Sequence, residues 1–203
     1  MSDPTLYLLR HGETEFNVEG RYQGQRGSPL TGRGRDQARR HGALLKTRIV
    51  EPEAWRVVAS PLGRAMATAR IVCAALGLPE DAIETDARLK EMAFGEWEGL
   101  TPAEIQARHP EAWAARCADR WHHLRPGGES YALLAARVGA FLRDAQEDAI
   151  VVGHGGAGRV LRGLYGRLSE DQIVALDEPQ DAIFRLTQGT VARIDHDEAE
   201  GGD

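Results

Sequence analysis

The chain has 203 residues, of which 42% are hydrophobic, and its formal net charge is −6 at pH 7. This length suffices for one domain with a full hydrophobic core, or for a domain with a small inserted cap. The acidic charge balance argues against non-specific nucleic-acid binding, and the sequence has no apolar run of the roughly 18 residues that a transmembrane helix requires.

Predicted strands and helices alternate along most of the chain. In chain order they are a strand over residues 5–9, a helix over 31–47, a strand over 57–60, a helix over 61–76, a short strand over 83–85, helices over 102–108 and 130–147, a strand over 149–153, a helix over 156–166, and a hairpin of strands 182–186 and 191–194. Thr31 is a suitable N-cap, and Pro61 suits a first helical turn. The pattern predicts an α/β fold, a three-layer α/β/α sandwich around a mostly parallel sheet with one antiparallel edge.

Residues 87–128 interrupt this alternation. They contain several histidines and only short helical patterns, and they hold three of the four tryptophans, Trp97, Trp113 and Trp121. We interpret the segment as a small cap inserted into a single domain that spans residues 1–195. The acidic residues 196–203 are expected to be a disordered tail.

Charged and small residues follow three of the predicted strands. The segments are Arg10-His11-Gly12-Glu13, Ser60-Pro61-Leu62-Gly63-Arg64-Ala65 and Gly153-His154-Gly155-Gly156. Ligands of open α/β sheets bind outside the carboxyl ends of the strands, and helix N-termini favour anions there. Two arginines and two histidines would therefore meet at one crevice, which predicts a phosphate site, and Gly12 would let the chain turn close to the phosphate.

These motifs resemble the histidine phosphatase (phosphoglycerate mutase-like) superfamily. Further matches occur in the family's order, at Thr14, Asn17, Gln23-Gly24, Pro29-Leu30-Thr31-x-x-Gly34 and Glu91, so that the resemblance extends from Leu6 to about Leu164. The resemblance implies that His11 is a nucleophile that forms a phosphohistidine. It also implies a set of phosphoryl-binding residues: Arg10, Arg64 and His154, with Asn17 assisting.

The remaining matches concern the proton donor and the substrate loops. Glu91 matches the family's proton donor, although Glu96 and Glu98 lie close by in the sequence and stay open as alternatives. Gln23 and Gly24 match a loop that contacts substrate or phosphate. Gly155, beside His154, would allow close backbone approach to the phosphate.

A neutral His11 is required for this chemistry. Neighbouring arginines disfavour the imidazolium, and a carbonyl or carboxylate on the second ring nitrogen would fix the tautomer. Fixed guanidinium groups would stabilise the phosphoryl oxygens in place of a metal ion, so neither a metal nor another cofactor is expected. His122-His123, with His109 and Cys117 nearby, do not complete a metal-ligand spacing, and a polar cap surface is the simpler interpretation.

Three functions fit the sequence to different degrees. The leading hypothesis is a metal-independent phosphomonoesterase of a small phosphorylated metabolite, of the small bacterial phosphatase type. A cofactor-dependent phosphoglycerate mutase is the alternative, but the cap holds only scattered basic residues: Lys90, Arg108, Arg116, Arg120 and Arg125. A catalytically silent binding module is disfavoured because the catalytic groups are all present.

The expected surroundings follow from the same observations. Cys73 and Cys117, the only cysteines, suggest a reduced compartment, and no secretory signal is recognisable at the N-terminus. We therefore expect a cytoplasmic protein whose partner is a small phosphorylated metabolite rather than a nucleic acid or a membrane. The sequence leaves the oligomeric state open, with a homodimer as one option.

Overall fold

Six strands form one sheet in the computed structural model, which describes residues 3–196. The strands are β1 (Leu6–Arg10), β2 (Arg56–Ala59), β3 (Ile83–Thr85), β4 (Ala149–Gly153), β5 (Ala182–Thr187) and β6 (Thr190–Asp195), in the spatial order β3-β2-β4-β1-β5-β6. β3, β2, β4 and β1 are parallel, whereas β5 and β6 complete the sheet as antiparallel strands. The predicted fold class is confirmed.

Helices cover both faces of the sheet or form the cap. Their bounds are α1 (Glu15–Val18), α2 (Gly32–Lys46), α3 (Gly63–Leu76), α4 (Pro102–Arg108), α5 (Pro110–Ala118), α6 (Tyr131–Asp144), α7 (Gly155–Tyr165) and α8 (Glu170–Ala175). Thr31 caps α2 and Ser130 caps α6, each accepting a backbone N–H bond through its hydroxyl. No helix within residues 3–196 is long and apolar enough to cross a membrane.

Alternate residues of β1 point into two separate cores. Leu6 and Leu8 belong to a cluster with side chains of α6 and α7, whereas Tyr7 and Leu9 pack with α2 and α3. The period-2 alternation of a strand sends successive side chains to opposite faces of the sheet. Burial on both faces makes β1 and β4 the rigid centre of the fold, and the carboxyl ends of these two strands carry His11 and His154.

The predicted start of the second long helix is wrong by two residues. α3 begins at Gly63 with Leu62 as its N-cap, so Pro61 lies before the helix. The Ser60 hydroxyl accepts the N–H of Leu62 at 3.3 Å, which stabilises a short turn between β2 and α3. This turn places Ser60, rather than a helical residue, at the strand end.

The sequence patterns do not predict three short helices, α1, α5 and α8. α1 and α5 bury none of their residues, so no apolar face marks them in the sequence, and α8 has only six residues.

In the cap, the fully buried Trp97 ring lies 5.8 Å from the His123 ring and 6.0 Å from that of Trp113. Of the predicted tail, only His196 is described, buried against His41, and residues 197–203 lie outside the described residues.

Candidate active site

The carboxyl ends of three neighbouring parallel strands converge on one cavity. His11 directly follows β1, Arg64 lies in the first turn of α3 after β2, and His154 is the N-cap of α7 after β4. The cavity has a volume of about 390 Å³. Its lining includes the predicted site residues Arg10, His11, Asn17, Gln23, Gly24, Arg64 and Glu91.

The His11 ring is held as one neutral tautomer. Its Nδ1 lies 2.8 Å from the carbonyl oxygen of Gly12, which can only accept, so Nδ1 carries the proton. Arg64 donates Nε–H to His11 Nε2 at 3.0 Å, which leaves Nε2 as a lone-pair acceptor. Burial, followed by the charges of Arg64 and Arg10, lowers the pKa of His11 well below its usual value. His11 therefore presents an unprotonated Nε2 at neutral pH.

Arg64 is fixed by acceptors on the loop that follows α1. Its Nη2 donates to the Gly24 carbonyl at 2.7 Å and its Nη1 to the Arg26 carbonyl at 2.9 Å. Gly24 adopts a left-handed φ of 53°, and a Cβ there would lie 2.1 Å from the Glu98 carboxylate, so glycine is favoured at this position. Burial lowers the pKa of Arg64 to about 10, and the guanidinium stays charged at neutral pH.

His154 lies against His11 rather than in open solvent. Its ring centroid is 5.2 Å from that of His11, and its Nε2 is 2.8 Å from the Ser60 hydroxyl oxygen. Nδ1 of His154 is buried without a hydrogen-bond partner. Burial, with added repulsion from Arg64, lowers the pKa of this imidazole well below its usual value. Gly155 joins His154 along a small neighbouring pocket, while Gly156 lines the main cavity.

Arg10 is paired with a carboxylate that the sequence patterns did not reveal. Arg10 Nη1 donates to the backbone carbonyl of Glu178 and lies 3.8 Å from its carboxylate. The same carboxylate forms an ion pair with Arg159 of α7. Both Arg159 and Glu178 line the cavity. Glu178 lies in an irregular segment, so no hydrophobic period or motif could have marked it.

Asn17 is oriented by a second residue that sequence reasoning missed. Gln180 donates Nε2–H to Asn17 Oδ1 and to the His11 carbonyl, each at 3.1 Å. Asn17 Oδ1 also accepts the Thr14 N–H at 3.1 Å. These bonds fix the amide of Asn17 at the cavity wall. Gln23 is buried beside it along the cavity, and its Oε1 has no hydrogen-bond partner.

Glu91 is the carboxylate of its segment that lines the cavity. It is 9% exposed, and it accepts N–H bonds from Met92 at 2.8 Å, Gly156 at 3.0 Å and Ala157 at 3.2 Å. The last two donors belong to the first turn of α7, where unpaired N–H groups favour an anion.

The two alternative carboxylates lie elsewhere. Glu96 is exposed at the surface. Glu98 accepts the N–H groups of Gln25 at 2.9 Å and Phe94 at 3.1 Å, and it thereby ties the Gln23-Gly24 loop to the cap. Neither Glu96 nor Glu98 lines the cavity, so the geometry favours Glu91 for proton transfer.

The cap adds basic residues to the cavity. Arg116, Arg120 and Arg125 line it, whereas Arg108 is exposed on α4. Their spacing in the sequence looks scattered, and only the fold brings the three together. Residues 3–196 contain no group of three His, Cys, Asp or Glu side chains arranged to hold a metal ion.

Comparison with known proteins matches the chain to one family along nearly its whole length. The profile of the histidine phosphatase superfamily (branch 1) covers residues 6–194. An adenosylcobalamin/alpha-ribazole phosphatase of Escherichia coli (strain K12) is 34% identical in an alignment of length 197 that covers 94% of this chain and 89% of that protein. The "Probable phosphoglycerate mutase GpmB" of Serratia proteamaculans is 32% identical in an alignment of length 201 that covers 96% of this chain and 86% of that protein.

A solved structure shows the same arrangement of the chain. The mycobacterial glucosyl-3-phosphoglycerate phosphatase in complex with VO3 is 30% identical, with a TM-score of 0.75 over 94% of this chain and 96% of that one. The names of these similar proteins include different phosphorylated substrates, so the shared fold does not define which substrate is used.

Proposed function

Since the chain belongs to the histidine phosphatase superfamily, we propose that His11, Arg10, Arg64, Glu91 and His154 form its active site. The enzyme is a phosphatase, a hydrolase of phosphoric monoesters, as the phosphatases of similar sequence and fold indicate. Its substrate is proposed to be a small phosphorylated metabolite, and alpha-ribazole phosphate is a candidate because of the similarity to the Escherichia coli enzyme.

The observation that carries this proposal is the pairing of a neutral nucleophile with a fixed cation. His11 Nε2 holds a lone pair, and the Arg64 guanidinium lies 3.0 Å from that nitrogen. A phosphoryl group that replaces this contact would meet the nucleophile and the cation together. Arg10 lines the same cavity, and His154, whose Nδ1 is buried without a hydrogen-bond partner, lies beside His11; both side chains are proposed to hold phosphoryl oxygens.

The first chemical step transfers the phosphoryl group to the enzyme. His11 Nε2 forms a bond to phosphorus while the bond from phosphorus to the ester oxygen breaks. Glu91 enters this step protonated, because the negative charge of the bound phosphate ester disfavours a second anion beside it. The departing oxygen takes that proton, so the alcohol leaves neutral. The proton on Nδ1 of His11 stays in its hydrogen bond to the Gly12 carbonyl, and this bond stabilises the ring as it becomes cationic.

The second step hydrolyses the phosphohistidine. Glu91, now ionised, takes a proton from water as the water oxygen bonds to phosphorus and the P–N bond breaks. Inorganic phosphate leaves, and both His11 and Glu91 return to their starting protonation states. The N–H groups of Gly156 and Ala157 hold the ionised carboxylate between the two steps.

Hydrolysis of p-nitrophenyl phosphate in the presence of EDTA tests this assignment. We expect turnover that vanadate inhibits, and we expect His11→Ala to abolish it. His122→Ala, which removes an exposed cap histidine, serves as the matched control. A 31P spectrum of quenched enzyme should contain a phosphohistidine in the wild type and none in His11→Ala. Full activity of His11→Ala would exclude the proposed nucleophile.

Phosphoglycerate mutase activity is the second candidate function, because a probable mutase is among the similar proteins. A mutase returns the phosphoryl group to a sugar acid instead of giving it to water, which requires that water be excluded. An assay with 3-phosphoglycerate and 2,3-bisphosphoglycerate separates the two reactions. Release of inorganic phosphate supports the phosphatase, whereas sustained isomerisation without phosphate release would favour the mutase.

A further inference from the structure

The neutral ring of His154 can carry its single proton on either nitrogen, and one of these nitrogens is already engaged. Its Nε2 lies 2.8 Å from the hydroxyl oxygen of Ser60, whereas its Nδ1 is buried without a hydrogen-bond partner among residues 3–196. Burial, with added repulsion from Arg64, lowers the pKa of His154, so the ring is uncharged at neutral pH. The position of the proton therefore determines whether Nδ1 offers a phosphoryl oxygen an N–H group or a lone pair.

Ser60 lies beside His154 because the two residues follow neighbouring parallel strands. Ala59, the last residue of β2, is paired in register with Val152 of β4, and the N–H of Ser60 donates to the Val152 carbonyl at 2.9 Å. Ser60 is fully buried. Its hydroxyl group therefore depends on hydrogen-bond partners within the protein.

The hydroxyl proton of Ser60 has one acceptor. The oxygen of this hydroxyl accepts the N–H of Leu62 at 3.3 Å, and that bond uses a lone pair rather than the proton. Among residues 3–196, His154 Nε2 is the one group that can accept the Ser60 proton in a hydrogen bond. If Nε2 donated to Ser60 instead, the hydroxyl proton would be buried without an acceptor, and Nδ1 would be buried as an unpaired lone pair. Both losses cost free energy, so the geometry favours Ser60 as the donor.

The partners of the two active-site histidines differ in kind. Nδ1 of His11 faces the Gly12 carbonyl, which can only accept, and Nε2 of His11 is left with a lone pair. Nε2 of His154 faces a hydroxyl, which can donate, and the proton of this ring is left on Nδ1. The two ring centroids are 5.2 Å apart. Adjacent imidazoles thus present a lone pair, which can attack phosphorus, and an N–H donor for an oxygen whose negative charge increases.

We propose that Ser60 is a positioning residue that sets the tautomer of His154: its hydroxyl donates to Nε2, so that Nδ1 carries a hydrogen and donates to a phosphoryl oxygen of the substrate. The inference deepens the proposed function and rests on it for the role of His154. Ser60 does not line the main cavity, so its effect on the reaction is transmitted through the imidazole.

Long-range 1H–15N correlation spectra of the 15N-labelled resting enzyme test the proposal, because protonated and bare ring nitrogens have well-separated shifts. The spectrum of His154→Asn identifies the His154 signals by their absence. In the wild type at neutral pH, we expect a protonated Nδ1 and a bare Nε2. In Ser60→Ala, the proton is free to occupy Nε2, and the population of the Nδ1–H tautomer should fall. Ser130→Ala removes another buried hydroxyl, one that accepts the N–H of Leu133 at 3.2 Å, and should leave the His154 signals unchanged.

Inhibition and turnover measure what the tautomer contributes. Ser60→Ala should raise the inhibition constant of vanadate and lower kcat/KM for p-nitrophenyl phosphate, each by roughly tenfold, because a hydrogen bond to a charged oxygen is weakened. His154→Asn places an amide nitrogen near the position of Nδ1, and an amide N–H donates without a choice of tautomer. In that background, Ser60→Ala should change both quantities by about twofold or less.

A thermal melt checks that each variant is folded. Ser60→Ala removes a single oxygen atom and is expected to fold. Ser60→Cys keeps the shape of the side chain but has a much weaker donor, and it gives the same comparison if the alanine variant is unstable.

Three results would overturn the proposal. One is a wild-type His154 that carries its proton on Nε2. Another is a Ser60→Ala variant with the spectrum and the vanadate affinity of the wild type. The third is an equal loss from Ser60→Ala with His154 and with Asn at that position, which would show that Ser60 acts through the packing of the turn after β2. Failure of the proposed function is distinguishable, because His11→Ala would then keep its activity, whereas the spectra of the resting enzyme do not depend on turnover.

Discussion

Arg64 donates its Nε–H directly to Nε2 of His11, the atom proposed to attack phosphorus, at 3.0 Å. This contact keeps Nε2 unprotonated and places a positive charge next to it. The same guanidinium is held from behind by the Gly24 and Arg26 carbonyls. A bound phosphoryl oxygen would accept the Nε–H in place of His11, so that Nε2 of His11 is released as the substrate is bound.

Arg64→Lys should therefore lower kcat/KM for p-nitrophenyl phosphate by about 10²–10³-fold. A lysine carries the charge but cannot donate at once to His11, Gly24 and Arg26, because its ammonium lacks the planar fork of the guanidinium. Steady-state kinetics measures the effect. Arg70→Lys changes an exposed arginine of the same helix and should leave the rate as in the wild type. Equal rates for the two variants would contradict the role of Arg64.

Glu91→Gln should affect substrates according to their leaving groups. Glutamine keeps the shape but cannot give a proton to the departing oxygen, so alkyl phosphates should lose about 10²–10⁴-fold in kcat/KM. Nitrophenyl phosphate, whose leaving group needs little protonation, should lose much less in the first step. Rates on both substrates measure this difference, with Glu96→Gln at the surface as the control. The same loss in kcat/KM on both substrates would argue that Glu91 does not protonate the leaving group in the first step.

The fold and the centre of the site are accessible from the sequence because their signals are local. Apolar alternation marks β1 and β4, and hydroxyl caps mark the starts of α2 and α6. Each predicted site residue is tied to the end of such an element or to a family motif. The parallel arrangement of the strands then brings these ends together.

The supporting residues could not be predicted because they depend on long-range contacts. Glu178 and Gln180 belong to a segment without regular structure that crosses the ends of β1 and α1, and their partners lie more than 160 residues earlier in the chain. Arg116 lies in α5, whereas Arg120 and Arg125 lie beyond its end, so no single helical period marks the three arginines that line the cavity. The close approach of Gly12 to the backbone of Gly34, on α2, likewise has no signal in the sequence.

The stability of the protein should fall in acid because of its buried histidines. Burial, with the neighbouring His196, lowers the pKa of His41 to about 3. The unfolded chain takes up the proton near pH ~6.5, so below that pH it binds more protons than the native state, and the free energy of unfolding falls. The loss from His41 continues down to its folded pKa, at up to roughly 1.4 kcal/mol per pH unit.

Urea unfolding at neutral pH and about one pH unit below the ordinary histidine pKa measures this effect. Between the two conditions, the wild type should lose about 1 kcal/mol more than His41→Gln, which has no group to titrate there. His122→Gln at the cap surface should behave as the wild type does. Equal losses in the wild type and His41→Gln would show that the pKa of His41 is not lowered in the folded protein.

Gly12→Ala should destabilise the protein and misplace His11. A Cβ at Gly12 would lie 2.0 Å from the carbonyl oxygen of Gly34, which is backbone and cannot move aside as a side chain can. Since the N–H of Gly12 donates to Thr68 at 3.1 Å and its carbonyl accepts from His11, a shift of this residue also moves the imidazole. We expect a loss of about 1–3 kcal/mol in the free energy of unfolding and a lower kcat, both measured against Gly32→Ala, where the added Cβ meets open space. A Gly12→Ala variant as stable and as active as Gly32→Ala would mean that β1 and α2 can separate without cost, and that the backbone contact between Gly12 and Gly34 does not position His11.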